Sequence, residues 1–333
     1  MNTTENSEVI PSTMQNFIQT NVPLKDKNWF HTGGSARFYC EPRTVKEFQA
    51  ALCFAQKEAL EIFVLGQGAN ILISDDGFDG LVIRPQLLSI DLISSADDQC
   101  TEKGTVLIKA GAGVTMDALI QYCLGNQILG LEEFSGIPGT VGGSVFINLH
   151  YFEFLLEQFV VCAEIINKKT CELKVVTQDW FAFGYDQSEL HAQDYYLVNA
   201  TFKLTRCNEL EAAYAQGRRT EIIRHRVKRY PSINTCGSFF RNFHDHEVTL
   251  MSNGKKMIYV AYYLDKIGIK GELTVGDATV SYQHANMLVN RGSATSTDII
   301  NLVRIMQQLV YEKFGIIPQP ECQLVGFKEW PLL

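Results

Sequence analysis

At 333 residues, 46% hydrophobic and 20% charged, the chain has the make-up of a globular protein long enough for two or three packed units. Its formal net charge of −8 gives no general attraction to polyphosphate backbones or anionic lipid, so neither nucleic acid nor a membrane is an expected partner, and an anionic ligand has to be held by local groups. Nine cysteines, an odd count with no CxxC pair or zinc-type spacing, exclude a disulfide framework and a metal site and read as reduced thiols.

The opening MNTTENSEVI has neither the basic start nor the apolar run of a signal peptide, and no segment approaches about 18 uninterrupted apolar residues, which points to a cytoplasmic protein. Residues 1–16 are expected to be disordered, with order beginning near Phe17. Between Thr44 and Leu60, apolar Val45, Phe48, Leu52, Ala55 and Ala59 recur at helical spacing, and EIFVLG after them reads as a buried strand. Short strands ILIS, LVIRP and TVLIKAGAG follow, with DDGFDG predicted as a turn and a helix predicted near Met116 to Leu124. A polar shift at 205–210 marks the predicted domain boundary. The last clear helix starts at the capping box TSTD (Thr295, Asp298), buries Ile299, Leu302, Val303, Met306, Leu309 and Val310, and stops at Gly315.

Several stretches carry possible chemistry. The loop GQGAN, 66–70, lies between two apolar strands, where successive backbone amides form either an anion cradle or a plain tight turn. A second glycine cluster, SGIPGTVGG, 135–143, offers backbone amides from another direction. Neither GQGAN nor GAGVTM completes GxGxxG, because Ile71 and Met116 stand where the last glycine is needed, so a Rossmann dinucleotide site is disfavoured. The HDH stretch, 244–246, lacks a third ligand at fixed spacing and reads as a solvated loop. In TCGSFFRNF, 235–243, Ser238 follows a glycine that permits close approach and precedes two phenylalanines that would exclude water. No GxSxG elbow or SxxK partner activates it as a nucleophile, which leaves a buried structural serine or a proton donor to a developing carbanion.

Six stretches, in order and at similar spacing, resemble the UDP-N-acetylenolpyruvoylglucosamine reductase family: HTGGSARF, LGQGANILI, GLEEFSGIPGTVGGSVFIN, CGSFFRN, GDATVSYQHANMLVN and FGIIPQPECQLVGF. The resemblance covers nearly the whole chain. It implies an α+β protein in which a two-subdomain FAD-binding unit of the vanillyl-alcohol-oxidase (PCMH) type, residues 17–207 divided into about 17–87 and 88–207, precedes an α+β substrate-binding domain, 208–333. It also implies NADPH-dependent reduction of an enolpyruvyl UDP-sugar to UDP-N-acetylmuramate in peptidoglycan precursor synthesis, with FAD carrying the hydride. The oligomeric state stays open.

Carried over residue by residue, the resemblance makes Ser238 the proton donor and Glu321, in PQPEC, its assistant. It assigns Lys228 and Asn242 to the UDP-sugar. FAD would be held by Gly66, Gly68, Ala69, Asn70, Ile71 and Gly111, and by Ile137, Pro138, Gly139, Thr140, Gly142 and Gly143. The short gap after FGYDQS resembles the family branch without an extra tyrosine-bearing loop.

The chain departs from the family pattern at several places. Where an arginine usually stabilises the enolate, FGYDQS carries Asp186, with Arg226 and Arg241 as candidate substitutes. The usual NAGAYG reads NLHYFEF, the phosphate-loop serine is Ala69, and an expected arginine is His225. An anion at 186 opens two alternative readings: a diverged homologue that binds FAD or UDP-sugar but reduces little, and a flavoprotein of the same cofactor fold acting on another substrate.

Overall fold

The computed structural model describes residues 17–93 and 104–333; the expected disordered stretch 1–16 lies outside the described residues. The first sheet has the strand order β1 (Ile18–Pro23), β2 (Ser35–Cys40), β5 (Phe78–Ile83), β3 (Glu61–Val64), antiparallel between β1 and β2 and parallel elsewhere. Helix α1 (Val45–Lys57) covers one face. Its start is written locally, because the Thr44 hydroxyl accepts from the Glu47 N–H while the Glu47 carboxylate accepts from the Thr44 N–H. The predicted apolar stripe then buries Phe48, Leu52 and Ala55 almost completely, contributing about 1.5–3 kcal/mol for each large side chain.

One predicted turn is shorter than expected. In DDGFDG the strand already begins at Phe78, which pairs with Ala36 and is buried. The segment ILIS forms β4 (Ile71–Ile73), but it stays out of the first sheet and pairs in parallel with β19 (Gln323–Val325) from the far end of the chain.

The second sheet runs β12 (Leu173–Thr177), β11 (Val160–Asn167), β13 (Tyr195–Arg206), β7 (Thr105–Gly111), β6 (Ile90–Ile93), with β8 (Ile128–Leu129) added to β13. Against it pack α2 (Met116–Gly125) and the short α3 (Val141–Phe146), and a hairpin of β9 (His150–Tyr151) and β10 (Phe154–Leu155) follows. The long helix α4 (Glu209–Arg229) opens under an Asn208 cap. It leads to a C-terminal unit with a small hairpin, β14 (Met251–Ser252) and β15 (Lys255–Lys256), helix α5 (Val260–Ile267) and strands β16 (Thr274–Val275), β17 (Ala278–Val280) and β18 (Leu288–Asn290). Helix α6 (Ser296–Phe314) packs that core; Thr295 and Asp298 cap it reciprocally, and Gly315, with φ 70°, ends it. No helix among the described residues is long and apolar enough to cross a membrane.

Candidate active site

A cavity of about 790 Å³ opens where the two sheets and the C-terminal unit meet. Its first wall is the loop 66–70. The amides of Gly66, Gln67, Gly68, Ala69 and Asn70 donate to no protein acceptor among the described residues, so five consecutive donors are left for a ligand. The second glycine cluster faces this loop across a direct bond, since the Gly139 N–H donates to Gln67 Oε1 at 2.7 Å. Space for a ligand is left beside it: a side chain added at Gly139 or Gly143 would meet only Ser144 Oγ at 3.5 Å or Thr140 Oγ1 at 3.6 Å. Gly66, Gly68, Ala69, Asn70, Ile71, Ile137, Pro138, Gly139, Thr140, Gly142 and Gly143 all line the cavity. An amide cradle joined to an apolar, glycine-lined channel of this volume fits the pyrophosphate and flanking ring systems of FAD.

Gly111 does not belong with them. It ends β7 with its α-carbon against the Leu87 carbonyl, where an added Cβ would lie 2.2 Å from that oxygen, and the wall begins only at Ala112 and Gly113. Close strand packing, rather than ligand contact, needs a glycine there.

The C-terminal unit supplies the opposite wall. Ser238 lines the cavity and bridges to Met287. Its neighbour Gly237 has φ 80° with open space around its α-carbon, so the glycine serves the left-handed turn that presents Ser238, not a close approach. The two phenylalanines divide their work: Phe240 lines the cavity, whereas Phe239 is wholly buried in the C-terminal core. Buried Asn286 holds this extended segment, accepting from Phe240 N–H at 3.0 Å and donating to the Phe240 carbonyl at 2.7 Å.

Glu321 reaches the same wall through backbone pairing. Its N–H donates to the Phe239 carbonyl at 2.8 Å, one residue from Ser238. Two residues on, Gln323 pairs with Ile71 and donates its N–H to the Asn70 carbonyl at 3.1 Å, pinning Glu321 against the end of the 66–70 loop. Burial, and then the Asp186 charge, push the Glu321 carboxyl well above its usual range. A carboxyl kept protonated in this way can donate a hydrogen bond.

Asn242 lines the cavity and donates to the Tyr185 hydroxyl at 3.3 Å. Lys228 does not reach it. Arg226 and Val227 line the cavity, but Lys228 is exposed, since two residues along a helix turn the side chain by about 200°. The two substitute arginines are otherwise engaged. Arg241 grips Glu247 with both terminal nitrogens, at 2.8 and 2.7 Å. Arg226 lies against the rings of Tyr151 and Tyr230, both 5.3 Å away, and donates to the Gly136 carbonyl; burial lowers its pKa. The HDH stretch forms an exposed loop away from this cavity, with the His244 and His246 rings stacked.

The model of an FAD binding domain matches residues 36–168, and the model of the UDP-N-acetylenolpyruvoylglucosamine reductase C-terminal domain matches 228–325. The UDP-N-acetylenolpyruvoylglucosamine reductase of Latilactobacillus sakei is 31% identical over 93% of this chain and 94% of its own. The enzyme of the same name from Trichormus variabilis is 32% identical over 93% of this chain and 86% of its own. This chain belongs to the UDP-N-acetylenolpyruvoylglucosamine reductase family. The crystal structure of the Thermus caldophilus member of that family superposes with a TM-score of 0.71 at 26% identity, covering 93% of this chain and all of that one.

Within the reductase family frame, one cavity residue escaped the sequence analysis. His150, from the divergent NLHYFEF stretch, has Nδ1 3.4 Å from Asp186 Oδ1. The signal lay in two departures from the family pattern, 36 residues apart, that the fold brings together.

Proposed function

We propose that this chain reduces UDP-N-acetylenolpyruvoylglucosamine to UDP-N-acetylmuramate with NADPH, in the cytoplasm, as a step of peptidoglycan precursor synthesis. Bound FAD supplies a two-electron hydride store that NADPH fills and the enolpyruvyl double bond empties. The amides of 66–70 and the glycines of 137–143 hold the cofactor, while Asn242 contacts the UDP-sugar. Hydride addition to the terminal alkene carbon leaves negative charge on the carbon bearing the carboxylate. Ser238 Oγ–H gives that carbon its proton, and Glu321, kept neutral by burial, donates a hydrogen bond to the carboxylate end as charge spreads onto it. Phe240 helps keep water from the site, which strengthens each of these interactions.

The observation that carries this reading is the short backbone route from Ser238 through Phe239 to Glu321 on a cavity wall facing both glycine clusters. Membership of the reductase family favours catalysis over a homologue that only binds. The test is NADPH oxidation dependent on the enolpyruvyl UDP-sugar. Ser238→Ala is expected to keep FAD and lose about 100- to 10,000-fold in turnover; wild-type turnover in that variant refutes the serine's role.

A further inference from the structure

We infer that His150, held by Asp186, is a catalytic residue of this chain, the cationic donor that steadies the negative charge formed on the enolpyruvyl carboxylate. The inference rests on the function proposed above and deepens it.

The pair is built, not incidental. Residues 184–187 make a tight turn in which Gly184 and Gln187 exchange backbone hydrogen bonds, at 3.0 and 3.4 Å, with Tyr185 and Asp186 at the corner and Asp186 at φ 52°. A single buried side chain ties this turn to the other segment, for Asn148, two residues before His150, donates to the Gly184 carbonyl at 3.1 Å. Asn148 also exchanges bonds with Glu157, fixing the β9–β10 hairpin that carries His150. The His150 ring leans on the Tyr185 ring, 4.8 Å between centroids.

Both Asp186 oxygens are buried and accept no aligned hydrogen bond, so the carboxylate needs a cation beside it, and His150 is at ion-pair distance. Burial, the largest effect, holds the Asp186 carboxyl above its usual range; His150 and then Arg241 oppose that rise by favouring its charged form. Paired in this way as a cation, the ring turns Nδ1 to the aspartate and offers Nε2–H on its far side as the donor. His150, Asp186, Tyr185, Ser238 and Glu321 all line the one cavity. The charge facing the imidazole is thus Asp186; on its other sides Asp186 meets the charge of Arg241 and the carboxyl of Glu321, which burial keeps neutral. The pair is neutral overall, so it can sit in a dry wall, yet its directed N–H strengthens as negative charge grows opposite it. No proton changes hands at His150; Ser238 supplies the one the carbon takes.

The test separates two half-reactions in the FAD-loaded protein: reduction by NADPH, and reoxidation by the enolpyruvyl UDP-sugar, both followed by flavin absorbance. His150→Ala and His150→Gln are expected to slow reoxidation about 100-fold and to leave reduction by NADPH within threefold. Binding of UDP-N-acetylmuramate, measured by calorimetry, is expected to weaken by less than tenfold, because the contact matters most when charge is forming. Adding Asp186→Arg to His150→Ala returns a cation to this corner and is expected to recover at least tenfold of the reoxidation rate. Wild-type protein that is not reoxidised by the UDP-sugar overturns the proposed function itself. Wild-type reoxidation with His150→Ala within threefold of it, equal slowing of both half-reactions, or no recovery in the double variant overturns the role of His150.

Discussion

Asn286 makes the sharpest test of how the serine is positioned. Its side chain is 3% exposed and makes both bonds that hold Phe240, and its own carbonyl accepts from Phe239 N–H at 2.8 Å. In Asn286→Ala the Phe240 N–H and carbonyl lose their partners in a place closed to water. Each buried polar group left unmade costs about 1–3 kcal/mol, so the pair predicts a loss of about 2–6 kcal/mol in denaturant unfolding. The same segment carries Ser238, and Glu321 hangs from the Phe239 carbonyl. Loosening it moves two chemical groups at once, and a displacement of about 1 Å is enough to cost about 100-fold in rate. Turnover should therefore fall at least tenfold while reduction by NADPH, which needs neither residue, holds. A variant that unfolds within about 0.5 kcal/mol of wild type and turns over normally would refute the account.

Three further outcomes follow from the same geometry. Glu321 sits well above the usual 4.5, so the folded state keeps a proton that the unfolded chain releases; stability therefore falls as pH rises from that unfolded value up to the folded one. Glu321→Gln should gain on wild type at about pH 7 and match it at about pH 4 in thermal unfolding, and parallel curves would contradict the raised value. Gly68 has φ 67°, and an added Cβ would lie 2.7 Å from the Asn28 α-carbon, so Gly68→Ala strains the cradle by about 1–3 kcal/mol and should weaken FAD binding by about tenfold or more in equilibrium dialysis. Lys228→Ala, on the exposed side of α4, should change KM for the UDP-sugar by less than about twofold; a tenfold rise would return that lysine to the site.

What could be read without coordinates was what the chain writes within a few residues. Reciprocal caps at Thr44 with Glu47 and Thr295 with Asp298, the apolar spacing of α1 and α6, and the glycine stop at 315 depend on neighbours three or four positions away, so their elements stand where the pattern puts them. The motif order was enough to recognise the family. Side-chain facing was not legible: GAGVTM gives no hint that Gly111 packs on Leu87 while Gly113 reaches the cavity, and a charged helix end does not say that Arg226 faces inward and Lys228 outward. Those choices depend on which surfaces the two sheets and the C-terminal unit close upon.

The sequence by itself determined the elements, the family and the residue types available for chemistry, because helix caps, turn glycines and apolar periods act over short stretches of backbone. Only tertiary structure decided which of them meet. Strand β19 lying beside β4 brings Glu321 to the 66–70 loop, and Asn148 clasping the 184–187 turn brings His150 to Asp186. Pairings across 36 or 252 positions are chosen by packing and backbone hydrogen bonding of the whole chain, which no local pattern encodes.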